Sequence, residues 1–184
     1  MNSSAFIRKN FRRTALASVV ALGAFGASSS FAAEATTSAT GTVIVPIAIA
    51  KSADLVFGKF APGAGGSVTV STSGARTGSG VILSTVGSSP TAAQFDVTGD
   101  NDATYDITWG GVTELSDGET TPNTMALERI SDLTAGGATT GEVAAGTLGT
   151  GGTQSIYLGG TLTVAIAQPA GTYTGDVTAT VEYN

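Results

Sequence analysis

The chain of 184 residues contains no cysteine and no histidine, and charged residues make up only 12% of it. Without cysteine the chain forms no disulfides, so its stability must come from packing and backbone hydrogen bonds. Without histidine it lacks the commonest general base and the commonest metal ligand. Ser-His and Cys-His catalytic pairs are therefore excluded, and no G-x-S-x-G motif surrounds any serine.

The N-terminal stretch predicts a signal peptide over residues 1–32. Four basic residues lie within positions 8–13, a short apolar run covers 14–26, and Ser30-Phe31-Ala32 forms a small-x-small cleavage site. A membrane anchor is the alternative, but the run is short for a span and rich in Ala and Gly. The pair Arg12-Arg13 raises a twin-arginine signal, yet the residues after it fit that pattern poorly, which favours general secretion.

Signal removal leaves a mature chain, residues 33–184, with four basic and fourteen acidic residues and a net charge near −10. No basic patch survives, which argues against nucleic acid and against anionic lipid as partners. We expect an exported protein without a stable membrane span, located in the periplasm, at the cell surface or outside the cell. Residues 33–41 are small and polar and predict a flexible lead or a loosely held strand, followed by one domain over 42–184.

Sustained helical periodicity is missing, and short apolar or alternating runs recur between Gly, Pro and Asn-Asp punctuation. This pattern predicts an all-β fold, an antiparallel immunoglobulin-like β-sandwich. The predicted strand runs lie at residues 42–50, 54–60, 68–71, 80–84, 93–99, 104–109, 124–131, 155–167 and 173–183, with one weak strand within 133–154.

Several runs carry more detailed expectations. The run 155–167 reads as two strand runs around Gly159-Gly160, with Leu162, Val164 and Ile166 on one face. The run 80–84 reads as buried. In the last run every second residue from Tyr173 is apolar, aromatic or glycine, and we expect that strand to be central to the sandwich. Six aromatic residues are expected to fill the core: Phe57, Phe95, Tyr105, Trp109, Tyr157 and Tyr173.

The stretch GDNDATYD holds the weak metal candidates of the chain, Asp100, Asp102 and Asp106. Oxygen ligands of this kind suit Ca²⁺, but the EF-hand spacing is not met. A turn between the neighbouring strands is the simpler interpretation, because Asn and Asp bond their own backbone there. We expect no cofactor and no catalytic residue.

The run 42–50 is the strongest candidate for pairing with another chain. Val43, Val45, Ile47 and Ile49 share one face, no charge occurs before Lys51, and Pro46 limits the run to an edge or first strand. These four donor-strand candidates could complete their own sheet or add to the sheet of another subunit.

The stretches ADLVFGKFAPGAGGSVTVS, AAQFDVTGDNDATYDITW and GGTLTVAIAQPAGTYTGDVTATVEYN resemble the bacterial exported family called domain of unknown function 4402. More distantly, the ending is similar to spore-coat-U-type subunits of archaic chaperone-usher pili. The resemblance implies an exported immunoglobulin-like sandwich and, through the distant kinship, a subunit of surface fibres. Residues 35–50 would then hold the segment that one subunit donates to the next.

We therefore expect a non-enzymatic structural protein, a pilin-like or surface-matrix subunit that associates by β-strand addition. Its partners would be itself or related subunits, together with a periplasmic chaperone and an usher. The alternative is a monomeric periplasmic or secreted binding module that depends on calcium or glycan.

Overall fold

The computed structural model describes residues 32–184, and the predicted signal peptide lies outside the described residues apart from Ala32. The chain divides into two units between Thr42 and Val43. In the first unit, residues 32–42 are exposed and contain no strand. The second unit, Val43–Asn184, is described throughout, and it is all β and contains no helix.

The second unit contains twelve strands, and every pairing between them is antiparallel. The strands are β1 (Ala48–Ala53), β2 (Phe60–Ala61), β3 (Gly66–Val70), β4 (Arg76–Ser79), β5 (Ile82–Leu83), β6 (Ala93–Thr98), β7 (Thr104–Gly111), β8 (Glu114–Ser116), β9 (Thr124–Asp132), β10 (Ala145–Thr147), β11 (Thr153–Val164) and β12 (Val177–Tyr183).

The long strand β11 organises the larger sheet. Its residues 157–158 pair with both β6 and β9, and its residues 160–162 pair with both β3 and β9. Because a strand has only two edges, β6 and β3 must lie end to end along one edge of β11, with β9 along the other. β1 extends the sheet beyond β6, β4 extends it beyond β3, and β8 extends it beyond β9.

A smaller sheet of β10, β7 and β12 covers one half of the larger sheet. The core between them, the first core cluster, includes Phe95 and Val97 from β6 and Tyr105 and Ile107 from β7, as the alternating patterns of these two strands predict. The rings of Phe95 and Trp109 meet edge to face across this core, with centroids 6.1 Å apart. Burying both inner faces is what holds the two layers together.

A second core cluster lies under the other half of the larger sheet, where the three-stranded sheet does not reach. Val68, Val70, Leu162 and Val164 come from the paired strands β3 and β11, and Phe57 comes from the connection after β1. Each is less than 10% exposed. Coverage of this half therefore depends on the two-stranded sheet of β2 and β5, on loops and on the segment before β12, rather than on a full second sheet.

The all-β antiparallel prediction is confirmed, and the ambiguous run 124–131 is indeed a strand, β9. The weak strand expected within 133–154 is β10. The run 42–50 was predicted too long, because β1 begins only at Ala48 and pairs with β6.

Four finer predictions are wrong. β11 continues through Gly159-Gly160 without a break, because Gly159 lies where the neighbouring strand changes from β6 to β3. Ile166 and Ile82 are mostly exposed, since the ladder ends at Val164 and β5 is only two residues long. Tyr157 has its neighbours Ile156 and Leu158 buried, so its own side chain lies on the outer face.

The final strand was expected to be central, and that expectation is also wrong. β12 pairs with β7 alone and forms an edge of the smaller sheet. Its predicted alternation is correct, since Val177, Ala179, Val181 and Tyr183 are less exposed than the residues between them. A strand needs only one buried face to show this alternation, so the pattern does not distinguish a central strand from an edge.

Candidate functional site

A cleft of about 1030 Å³ opens beside the start of β12, over the second core cluster. One wall is the segment 51–62, which runs from the end of β1 through β2. The other wall is the segment 168–177, which leads into β12. The cleft exists because the smaller sheet ends at β12 and no strand fills the space between the two walls.

The floor of the cleft is apolar and is supplied by four strands of the larger sheet. Each of these side chains already belongs to a core cluster, so a molecule entering the cleft would extend the core. The floor residues are Ala93, Phe95, Leu115, Met125, Leu127, Leu158, Leu162 and Val164.

The backbone of the segment 173–183 is open along one edge. Thr174 exchanges two backbone hydrogen bonds with Ser116, and the carbonyl of Asp176 accepts from the N–H of Val112. Successive residues of a strand point their backbone groups to opposite sides. The odd-numbered residues of 173–183 therefore direct their N–H and C=O groups away from β7 and β8, toward a side on which β12 has no partner strand.

The opposite wall is held in place by the guanidinium of Arg76. It donates to the carbonyls of Phe57 (3.0 Å), Lys59 (3.1 Å) and Ser84 (2.6 Å) and to Oγ of Ser88 (3.0 Å). A guanidinium presents several donors in a rigid plane, so a single side chain ties the wall to the loop after β5.

Charged side chains lie only at the rim of the cleft. Lys51 forms an exposed ion pair with Asp54, and this hydrogen bond raises the pKa of Lys51. Lys59 and Asp176 also line the opening. An exposed pair of this kind adds little stability. The rim of the cleft is therefore polar and solvent-exposed, and the floor is apolar.

The four donor-strand candidates separate into two pairs. Val43 is 98% exposed and Val45 is 54% exposed, and neither lies in a strand. Ile47 and Ile49 pack against the first core cluster of their own chain, and Ile49 lies opposite Val97 in the ladder of β1 and β6. Only the upstream pair thus has side chains that are mostly exposed and belong to neither core cluster.

Of the weak metal candidates, Asp100 and Asp102 lie in the turn between β6 and β7, and Asp106 lies within β7. Asp102 has φ of 55°, a conformation that Asp tolerates in turns, and the N–H of Asn101 donates to Oδ1 of Asp100. Oδ1 of Asp106 accepts from the side chain of Asn184. Among residues 32–184, no group of three or more acidic side chains is arranged to hold a metal ion.

A polar cluster on the outer face of the larger sheet was not predicted. Oδ1 of Asp96 accepts from Nε2 of Gln94 (2.9 Å) and from Oγ of Ser155 (2.8 Å). These hydrogen bonds, the one from Gln94 first, lower the pKa of Asp96. The cluster joins β6 to β11 and is internally satisfied, so it acts as a cross-strand link.

The cleft and the open edge were missed as well, although one signal was present. The alternation that ends at Tyr183 begins at Tyr173, four residues before β12 does. Segment 173–176 therefore has strand character but makes only one bridge, that between Thr174 and Ser116. An alternating run that extends beyond the residues paired in the sheet indicates a segment with an unpaired edge.

Fold and cleft together define an antiparallel β-sandwich in which the edge strand β12 borders an apolar cleft. A family model described as "Domain of unknown function (DUF4402)" matches residues 47–183, and the chain belongs to this family. The match begins at Ile47, so it covers all twelve strands. A search of the curated proteins finds no match. In the part of the chain that the structure describes, no helix is long and apolar enough to span a membrane.

Proposed function

We propose that this protein is an exported, non-enzymatic structural subunit that assembles at the cell surface by β-strand addition. The N-terminal segment of one copy pairs with the open edge of segment 173–183 in the next copy and covers its cleft. The observation that carries this proposal is the coincidence of an unpaired strand edge with an apolar cleft. Backbone groups along such an edge supply attachment, and pockets for alternate side chains supply register.

The donor segment in this proposal is residues 33–45. Its odd positions are small or apolar except for one threonine, and its even positions up to Thr42 are polar, which is the alternation of a strand with one buried face. Residues 32–45 nevertheless make no strand within their own chain. The odd positions are Ala33, Ala35, Thr37, Ala39, Gly41, Val43 and Val45.

The length of this segment suits the edge. Thirteen extended residues reach about 43 Å, and the eleven residues of 173–183 span about 36 Å. The only charge in the donor segment is that of Glu34, at its far end, so pairing buries no charged group in the apolar floor. A periplasmic chaperone would protect the same open edge before assembly by supplying a strand of its own.

The experiment compares Val43→Asp with Val86→Asp in the full chain. Both side chains are highly exposed, at 98% and 82%, so neither substitution changes the thermal stability of the monomer. Sedimentation velocity and electron microscopy of the exported protein should show fibres or ladders for the wild type and for Val86→Asp. Val43→Asp should remain monomeric, because the donor would bring a charge into the apolar cleft. Equal assembly of the two variants, or a wild type that never assembles, would contradict the proposal.

Disulfide mapping locates the contact between copies, and because the chain has no native cysteine, only the introduced cysteines can crosslink. Thr180 is exposed on β12, so Thr180→Cys combined with a cysteine scanned through residues 36–42 should give intermolecular disulfides. Thr108→Cys is the matched control, because Thr108 lies opposite Thr180 on β7, one strand inside the edge. Crosslinking at Thr108 equal to that at Thr180 would argue against addition at this edge.

A further inference from the structure

The hydroxyl of Tyr183 connects three distant parts of the chain. It accepts a hydrogen bond from the N–H of Asp100 (2.6 Å) and donates one to the carbonyl of Val45 (2.8 Å). Tyr183 is the last residue of β12, Asp100 lies in the turn after β6, and Val45 precedes β1. One side chain therefore joins the open edge strand to the start of the domain.

The ring of Tyr183 fits this position because residue 99 is glycine. A Cβ atom on Gly99 would lie less than 3.0 Å from the hydroxyl of Tyr183 and 2.8 Å from Cδ1 of Leu148. Any larger residue would force the ring or the neighbouring core side chain to move. Glycine at position 99 is therefore what lets the ring of Tyr183 take the observed orientation.

Val45 is the first anchored residue in the described part of the chain. Among residues 32–184, no hydrogen bond involves residues 32–44. Pro46, which follows Val45, has no N–H to donate. After it, Ile47 packs on the core and β1 begins at Ala48. The bond from Tyr183 therefore marks the point at which the free segment ends and the folded domain starts.

We infer that the hydroxyl of Tyr183 sets the length of the donor segment by holding the chain at Val45. This inference rests on the proposed function. With the bond in place, the donor ends at Val45, and Ile47 and Ile49 stay in their own core. Without it, the start of β1 opens more often and adds residues to the free segment. Tyr183 is a positioning residue that controls how much of the N-terminus is available for pairing.

Amide hydrogen exchange on the full chain tests this inference at concentrations where the protein is monomeric. Tyr183→Phe removes both hydrogen bonds of the hydroxyl, including the one to Val45, and keeps the ring. Exchange at residues 47–50 should therefore become roughly three- to tenfold faster. Tyr173→Phe is the matched control, because that hydroxyl donates to the carbonyl of Pro169 and should leave these amides unchanged. Gly99→Ala, which blocks the slot, should accelerate the same amides.

Equal exchange at residues 47–50 in Tyr183→Phe and Tyr173→Phe would overturn the inference, whether or not the protein assembles. Conversely, failure of the wild type to assemble would reject strand addition, and the exchange result would still decide whether Tyr183 anchors Val45.

If strand addition and the anchoring role of Tyr183 both hold, Tyr183→Phe should still form fibres. Crosslinks in the Thr180→Cys background should then extend to a cysteine placed at residue 47. Absence of a crosslink to residue 47 in that variant would contradict control of donor length.

Discussion

Gly159 in the middle of β11 provides the sharpest test of how the larger sheet is built. It lies where the partner strand on one edge changes from β6 to β3, opposite Ile130 of β9 on the other edge. A Cβ atom there would lie 2.9 Å from the carbonyl carbon of Ser71 and less than 3.0 Å from the carbonyl oxygen of Val70. Both are backbone atoms, so Gly159→Ala can be accommodated only by moving β3 away from β11.

The expected cost follows from these contacts. Overpacking at a buried position costs about 1–3 kcal/mol, and the rigid backbone contact places this site at the upper end of that range. The loss of glycine flexibility in the unfolded chain returns less than about 1 kcal/mol. A net loss of about 2 kcal/mol lowers the Tm of a domain of this size by about 4–8 °C.

Thermal unfolding followed by circular dichroism measures this difference. Gly151→Ala is the matched control, since no atom lies within 4 Å of its Cβ position and its φ is not in the left-handed region. We expect the control to change stability by less than about 0.5 kcal/mol. If Gly159→Ala melts within 2 °C of the control, about half the smallest expected shift, the end-to-end arrangement of β6 and β3 along β11 is wrong.

Two further predictions concern folding and acid stability. Val181→Asp places an unpaired charge in the first core cluster and should abolish cooperative unfolding. Thr180→Asp, on the exposed face of the same strand, should unfold cooperatively. Near-UV circular dichroism compares the two, and similar spectra for both would refute this placement of β12. The hydrogen bond from the amide of Gln94 lowers the pKa of Asp96, so this carboxyl is harder to protonate in the folded protein than in the unfolded chain. The stability that results is fully present above the unfolded pKa, about pH 4. It is lost as the pH falls through the lower pKa of the folded state. Denaturant titrations from pH 6 to pH 2 should therefore show a shallower acid decline for Asp96→Asn than for the wild type, with Glu128→Gln as the exposed control, and a wild-type slope in Asp96→Asn would count against this link.

The individual strands were largely predictable because their signal is local. Phe95 and Val97 alternate with polar residues, as do Tyr105 and Ile107, and burying one face of a strand requires this spacing wherever the strand pairs. The candidate site was less predictable. Val43 and Ile49 look equivalent in the sequence, yet one is exposed and the other packs on the core, because the ladder with β6 begins only at Ala48.

The sequence by itself determined an all-β chain without cysteine or histidine, the alternation of its strands and the family to which it belongs. Only the tertiary structure decided that β12 is an edge, that Gly159 continues a strand instead of breaking it, and that a cleft lies beside segment 173–177. The physical reason is that side-chain periodicity records whether a face is buried. It carries no information about which strand, if any, lies at either edge, because backbone hydrogen bonds are the same for every residue except proline.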